Sequence, residues 1–435
     1  MSIIAIVFVL LYFSGLFIAV FRRKPIFGLM SYLFAFYMHP PVRWWGESLP
    51  DLRWSLLASL ITLFAIFLDR KKQPFKFFEF RENKLLLAFC LFICIQSFWA
   101  LSFDLHWTYV SLFIKFMILI MLFQNSIKTS NDLILFVFFN AVGCSYFGYL
   151  GLTEHQGGRL ESVGGPGLVS ANQLAQHIGV ILVFTSYLVL CKTPRWMRFA
   201  VFVTIALNME AIMLTQSRSV LLAVIATGCL SIFFVPHSSS KKYWLYFTLG
   251  ILAFVTLMGS HIVKRLDDLA GNNEAGVQDK SASSRMIIIK SQFEMFKDSP
   301  ILGHGHRSTL ILSPFYVPEA YRARSKSGSG KTYRASHNFI MSVLVDHGIV
   351  GGILYFSVIA SCFNRVRKMY KYKSDDEEHN LLGTILIGFG LSLFCLMVAG
   401  LGSNNKVLEI DIWLYALIPL LYQMIVNNKK AVEQK

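Results

Sequence analysis

Four short stretches concentrate chemically capable side chains in an otherwise apolar chain. "TQSRS" carries Arg218, "SSRM" carries Arg285, "GHGHR" carries His304, His306 and Arg307, and "RASHN" carries Arg334, His337 and Asn338. Arginine is permanently charged and grips a diphosphate through two parallel N–H···O bonds. Histidine titrates near neutrality and can take a proton from a hydroxyl. Two or three arginines around a leaving diphosphate can supply the stabilisation that Mg²⁺ supplies elsewhere. Such a set suits transfer of a glycosyl group from a lipid diphosphate to a sugar hydroxyl. It equally suits other proteins that handle lipid phosphates.

Each stretch also has a plainer reading. Arg218 can snorkel to headgroups, and Arg285 can be a surface charge. Ser336 or Asn338 is a good N-cap for the apolar helix that follows. His304 and His306 stand two apart among glycines, but no carboxylate or cysteine lies nearby at ligand spacing, so no metal is expected. Asp267 and Asp268 read as an exposed turn. Deeper in the same apolar run, Asp346 and His347 precede Gly348, Gly351 and Gly352, a pattern of close helix packing around a self-satisfied polar pair.

Composition sets the frame. The 435 residues are 55% hydrophobic and 15% charged, against about 45–50% and 25% in soluble domains. Successive apolar runs of bilayer-spanning length identify an all-α polytopic membrane protein, without the alternating pattern of a membrane barrel. The first run ends in "FRRK" with no small-residue cleavage site and reads as a retained span. The net charge of +16 reflects basic loops rather than nucleic acid, which is not expected as a partner. All seven cysteines lie in or beside apolar runs, so neither a disulfide framework nor a cysteine metal site is expected.

The runs give about thirteen spans, within a range of 12–14, starting near residues 2, 26, 54, 85, 109, 133, 174, 199, 219, 244, 338, 381 and 410. Alternation places seven short loops on one side, holding 23 of the 41 Lys and Arg residues. The positive-inside rule makes that side cytoplasmic. The expected organisation is N-terminal spans over 1–152, central spans with a glycine-rich loop and the Arg218 hairpin over 153–263, a large external loop over 264–337, and C-terminal spans and tail over 338–435. Within the large loop, Met286, Ile287, Ile289, Phe293 and Phe296 mark an amphipathic helix capped by Ser283 or Ser284 and ended by Pro300 and Gly303. "YRARSKSGSGKTYR" after it reads as a basic flap.

"TQSRSVLLA", "SSRMIIIKSQFEMFKDSPILGHGHRS" and "SHNFIMSVLVDHGIVGG", in that order and spacing, resemble the shared signature of the O-antigen ligase and O-antigen polymerase superfamily. "SANQLAQ" resembles the family's earlier Asp-Pro-Asn motif, of which only Asn172 stands here. The likeness runs from about Arg159 to Gly352, and "MHPPVRWWG" resembles ligase-like members associated with exopolysaccharide and exosortase gene clusters.

The resemblance implies a GT-C-like helical enzyme of the bacterial inner membrane with its site facing the periplasm. It would use an undecaprenyl-diphosphate-linked glycan without metal or cofactor, and pass the glycan to another glycan or to lipid A-core among membrane lipids. It implies His337 as catalytic base and Arg218 and Arg285 as the diphosphate grip. Asn338, Asn172 and Arg159 would shape the site, and Arg334, His304 and His306 would be substrate contacts. A ligase and a polymerase share this chemistry, and the N-terminal stretch favours a ligase. The rival from another class is a lipid-linked oligosaccharide flippase. It would place charges at mid-membrane between repeated halves, and Lys115 and Glu210, read here as pairing, are the residues in question.

Overall fold

The computed structural model describes the chain except residues 1, 51, 70–75, 156, 166, 237–238, 253–255, 257–279, 323–332, 372–375, 405–407 and 434–435. Asp267, Asp268 and most of the basic segment after Arg322 therefore lie outside the described residues. Those described form α-helices joined by turns and short 3₁₀ segments, with no β-strand among them.

The helices are α1 (Ile3–Phe21), α2 (Pro25–Met38), α3 (Trp54–Leu68), α4 (Arg81–Gln96), α5 (Phe103–Ser126), α6 (Ser130–Thr153), α7 (Ala171–Leu188), α8 (Arg195–Leu214), α9 (Arg218–Ser231), α10 (240–252), α11 (Lys280–Asp298), α12 (Ser308–Tyr316), α13 (Phe339–Tyr370), α14 (Glu377–Gly400) and α15 (Glu409–Glu433). Apart from α11 and α12, each begins within six residues of an expected span start. Seven of them, α1, α5, α6, α8, α13, α14 and α15, are long and apolar enough to cross a membrane, and α3 and α9 are shorter apolar helices. The chain is an all-α polytopic membrane protein.

α14 lies at the centre, packed against α7, α9, α13 and α15, while α6 packs on α8 and α1, α2 and α3 form a cluster of their own. Aromatic rings fasten that cluster: Phe8 meets Trp45 and Trp54, and the Tyr12 hydroxyl donates to Trp54 O at 2.6 Å. Polar side chains join the main bundle where burial makes a lone polar group costly. Glu82, fully buried, accepts from Arg365 Nε at 2.6 Å and Nη2 at 2.9 Å, joining α4 to α13. Asn83 and Gln124 exchange amide bonds of 2.7 and 3.2 Å, and Gln124 also donates to Ala416 O.

Two sequence readings need correction. Lys115 and Glu210 form no ion pair with each other; α5 and α8 are not neighbours in the bundle, and Lys115 is exposed. The amphipathic helix exists as α11, but its inward stripe is Ile288, Ser291, Gln292 and Met295, whereas Met286 and Phe293 are exposed. Two polar residues stand on the buried face, so hydrophobic periodicity picked the wrong one. Gln292 is buried because it is used: its amide donates to Thr309 Oγ1 at 3.2 Å and Ser336 Oγ at 2.9 Å.

α13 is broken at Gly348, whose φ of 63° and ψ of −167° are not helical. The break frees backbone groups of the helix, and the turn "PILGHG" takes them up. His304 N and Gly305 N donate to Val345 O and Asp346 O, while Ile349 N and Val350 N donate to Pro300 O and Ile301 O. A Cβ on Gly348 would meet Ile301 O at 2.3 Å, so glycine is required for both its dihedral angles and this approach.

Candidate active site

The α8–α9 hairpin supplies the first wall. Gln216 at φ 55° makes the turn, and Ser217 is the N-cap of α9 but makes no side-chain bond to the helix start. Its hydroxyl instead donates to Asn172 Oδ1 at 3.0 Å. The same Asn172 oxygen accepts from Arg159 Nη2 at 3.0 Å, and Arg159 Nε donates to Thr215 O. The glycine-rich loop is thereby laid on the hairpin, with Leu160 N bonded to Leu214 O and Gln216 Nε2 to Gly158 O. The first turn of α9 is left without a side-chain cap, and its N–H groups and helix dipole favour an anion. Arg218, exposed, opens that turn.

The α14–α15 turn closes against it. A Cβ placed on Gly402 would lie 2.7 Å from Ser219 Cβ and 3.3 Å from Arg285 Nη1. Arg285 of α11 therefore reaches the start of α9 through the space a side chain would fill. Asn338 ties the same turn to α13. It caps that helix by accepting from Met341 N at 3.0 Å, and its Nδ2 donates to Leu401 O at 3.3 Å.

His337 stands next to this capped start. Its pKa is lowered to about 4 by burial, then by the positive charges of Arg334 and Arg285. The ring is neutral at pH 7 and able to accept a proton. Arg334 is held by its N–H to Ser313 Oγ at 2.8 Å and by Nη2 to Ser284 Oγ at 3.4 Å. Ser336, bonded to Gln292, fixes the strand of chain between the two.

Seven of the nine residues expected from the sequence thus gather around the starts of α9 and α13: Arg159, Asn172, Arg218, Arg285, Arg334, His337 and Asn338. His304 and His306 belong to a neighbouring cluster with Asp346 and His347. His304 bonds Met295 O at 2.9 Å. His306 stacks on Tyr109 with centroids 4.1 Å apart, and its Nδ1 lies 3.7 Å from Asp346 Oδ2. Asp346 accepts from Arg307 N, Ser308 N and the Ser308 hydroxyl, while His347 Nδ1 lies 2.7 Å from Gln96 Oε1. Gln96 in turn donates to Leu302 O and Asp346 O. Asp346 and His347 therefore both serve the docked turn, Asp346 through the amides of Arg307 and Ser308 and His347 through Gln96. Close helix packing holds at Gly351, where a Cβ would meet Phe92 at 2.9 Å.

Among the described residues, His306, Asp346 and His347 are the group with metal-ligand chemistry, with donor atoms within 4.8 Å of one another. Both Asp346 oxygens are engaged by the 306–308 turn, as a structural pin requires. Sequence reading offered Ser284 as a helix cap, whereas α11 begins at Lys280 and the Ser284 hydroxyl accepts from Arg334, and it missed Ser217, Ser219 and Gly402. The small, polar composition of "GLGSNN" is the one signal that could have found the last of these.

Helical spans around an arginine-rich cluster at one end define a polytopic membrane protein. Residues 200–356 match the family model described as O-antigen ligase. That segment, which runs from α8 through Arg218, Arg285 and His337 into α13, is similar to the O-antigen ligase family. No curated protein matches the chain.

Proposed function

We propose that this protein is an O-antigen ligase-like glycosyltransferase that moves a glycan from undecaprenyl diphosphate to a sugar hydroxyl at the periplasmic face of the inner membrane. The observation that carries the reading is the uncapped start of α9 with Arg218 in its first turn and Arg285 packed over Gly402 beside it. That is a diphosphate-binding arrangement, and a neutral imidazole stands within its electrostatic reach.

In this mechanism His337 takes the proton of the acceptor hydroxyl. The hydroxyl oxygen forms the new bond to the anomeric carbon from the face opposite the diphosphate. The old carbon–oxygen bond breaks, its electron pair leaves with undecaprenyl diphosphate, and the configuration inverts. Arg218, Arg285 and the α9 N–H groups stabilise the departing charge. Asn172 and Arg159 hold the hairpin, Asn338 holds the entrance of α13, and Arg334 extends the cationic surface toward the acceptor.

Reconstitution with a defined lipid-linked glycan and a lipid A-core or glycan acceptor tests the reading. Release of undecaprenyl diphosphate coupled to glycan transfer is expected, and a flippase cannot produce it. His337→Ala is expected to lose about 10²–10⁴-fold in rate; near-wild-type activity would remove His337 as the base. Gene deletion separates the two family activities. Loss of a ligase leaves the acceptor bare with lipid-linked polymer accumulating, and loss of a polymerase leaves one repeat on the acceptor.

A further inference from the structure

A second feature stands at the opposite end of the bundle, among the last turns of α13. Three basic residues lie there, Arg365, Arg367 and Lys368. Arg365 is committed to Glu82 and lies over the Tyr422 ring. Arg367 is exposed, and no carboxylate pairs with it among the described residues. It stands at the rim of a groove of about 450 Å³ between α9, α13 and α14. Leu230 of α9, Phe234 of the 3₁₀ turn after it, Phe363 of α13 and Leu391 and Phe394 of α14 form its apolar walls. The only other polar lining is Asn364, exposed and one residue from the Arg365–Glu82 pair that fixes this turn.

We propose that this groove binds one anionic glycerophospholipid, with an acyl chain between α9, α13 and α14 and the phosphate at Arg367 and Asn364. The argument is complementarity of two kinds in one place. The walls match a hydrocarbon chain, and the rim offers a planar cation and an amide donor suited to a phosphodiester. Basic pockets between membrane helices favour acidic headgroups by about 1 kcal/mol per cation, roughly fivefold in affinity. A zwitterionic lipid brings its own ammonium to the rim and forfeits that gain. The end concerned is the one where the basic loops gather, so the lipid belongs to the leaflet on that side.

The test reads lipid retention by the purified full chain, so its outcome is independent of the transfer reaction. Native mass spectrometry in detergent would follow titration with phosphatidylglycerol and, separately, phosphatidylcholine of the same acyl chains. The expected result is one phosphatidylglycerol retained about fivefold more tightly than phosphatidylcholine. Arg367→Gln, an exposed change, should abolish that preference, and Leu391→Trp should reduce retention of both lipids by filling the groove. Equal retention of the two lipids by the wild type would overturn the proposal, as would a preference that persists in Arg367→Gln. Should Leu391→Trp not fold, the Arg367→Gln comparison decides alone.

Discussion

Arg285 and Gly402 meet across the α9 start: the guanidinium nitrogen Nη1 occupies the volume 3.3 Å from where a Gly402 side chain would begin. Ser219 Cβ closes the other side at 2.7 Å. Gly402→Val must therefore push on Ser219, Arg285 or both. Displacement of about 1 Å at a reacting centre can cost about 100-fold in rate. The expected outcome is a loss of that order in transfer by reconstituted enzyme, with thermal stability in detergent nearly unchanged. Gly402→Ala should fall between the two.

Arg285→Lys keeps the charge and removes the fork. A lysine offers a point charge where two parallel bonds to a diphosphate are needed. Losing a charge-assisted bond costs about 1.5–3 kcal/mol, roughly ten- to 100-fold in kcat/KM. Initial rates against donor concentration check this. A rate within twofold of wild type would show that Arg285 acts only through its charge.

The pH dependence of His337 has a definite sign. Its pKa in the free protein is about 4, lowered from 6.5 by burial, Arg334 and Arg285. A bound diphosphate offsets the two positive charges and raises that pKa. The acid limb of kcat, which reports the substrate complex, should therefore lie at higher pH than the limb of kcat/KM, near 4 in the free enzyme. Arg334→Gln removes one cation and should move the kcat/KM limb upward. For stability the sign is also fixed. The fold holds the neutral ring, so its contribution is full above pH 6.5 and is lost as pH falls towards 4. Coincident limbs in the wild type would mean the arginines do not meet the diphosphate.

Thirteen helix starts were legible because apolar runs are the strongest signal this chain carries, and seven of those helices are long and apolar enough to cross a membrane. Some of the misses have physical causes. α4 begins at Arg81 rather than near residue 85 because Glu82 and Asn83 of its polar first turn are buried, Glu82 held by Arg365 and Asn83 by Gln124. In the site, Arg218, Arg285 and His337 were visible as costly polar residues beside apolar runs. Gly402 was not, because its meaning lies in a contact among α9, α11 and the α14–α15 turn, far apart in sequence. The buried face of α11 was misjudged for a related reason: Gln292 is buried by its hydrogen bonds, which no periodicity records.

Asp346 separates a structural role from a catalytic one. It is 2% exposed and accepts from the amides of Arg307 and Ser308 and from the Ser308 hydroxyl, holding the "GHGHR" turn in the break of α13. Asp346→Ala leaves the two buried Ser308 donors without their acceptor, each costing about 1–3 kcal/mol, and the part-buried Arg307 amide as well. The expected result is a clear fall in thermal midpoint in detergent, with transfer lost in proportion to the unfolded fraction. Asp346→Asn keeps one acceptor oxygen and should fall less. His337→Ala should do the reverse, losing transfer with the midpoint unchanged. An Asp346→Ala protein that melts like wild type yet fails to transfer would move Asp346 from the scaffold into the reaction itself.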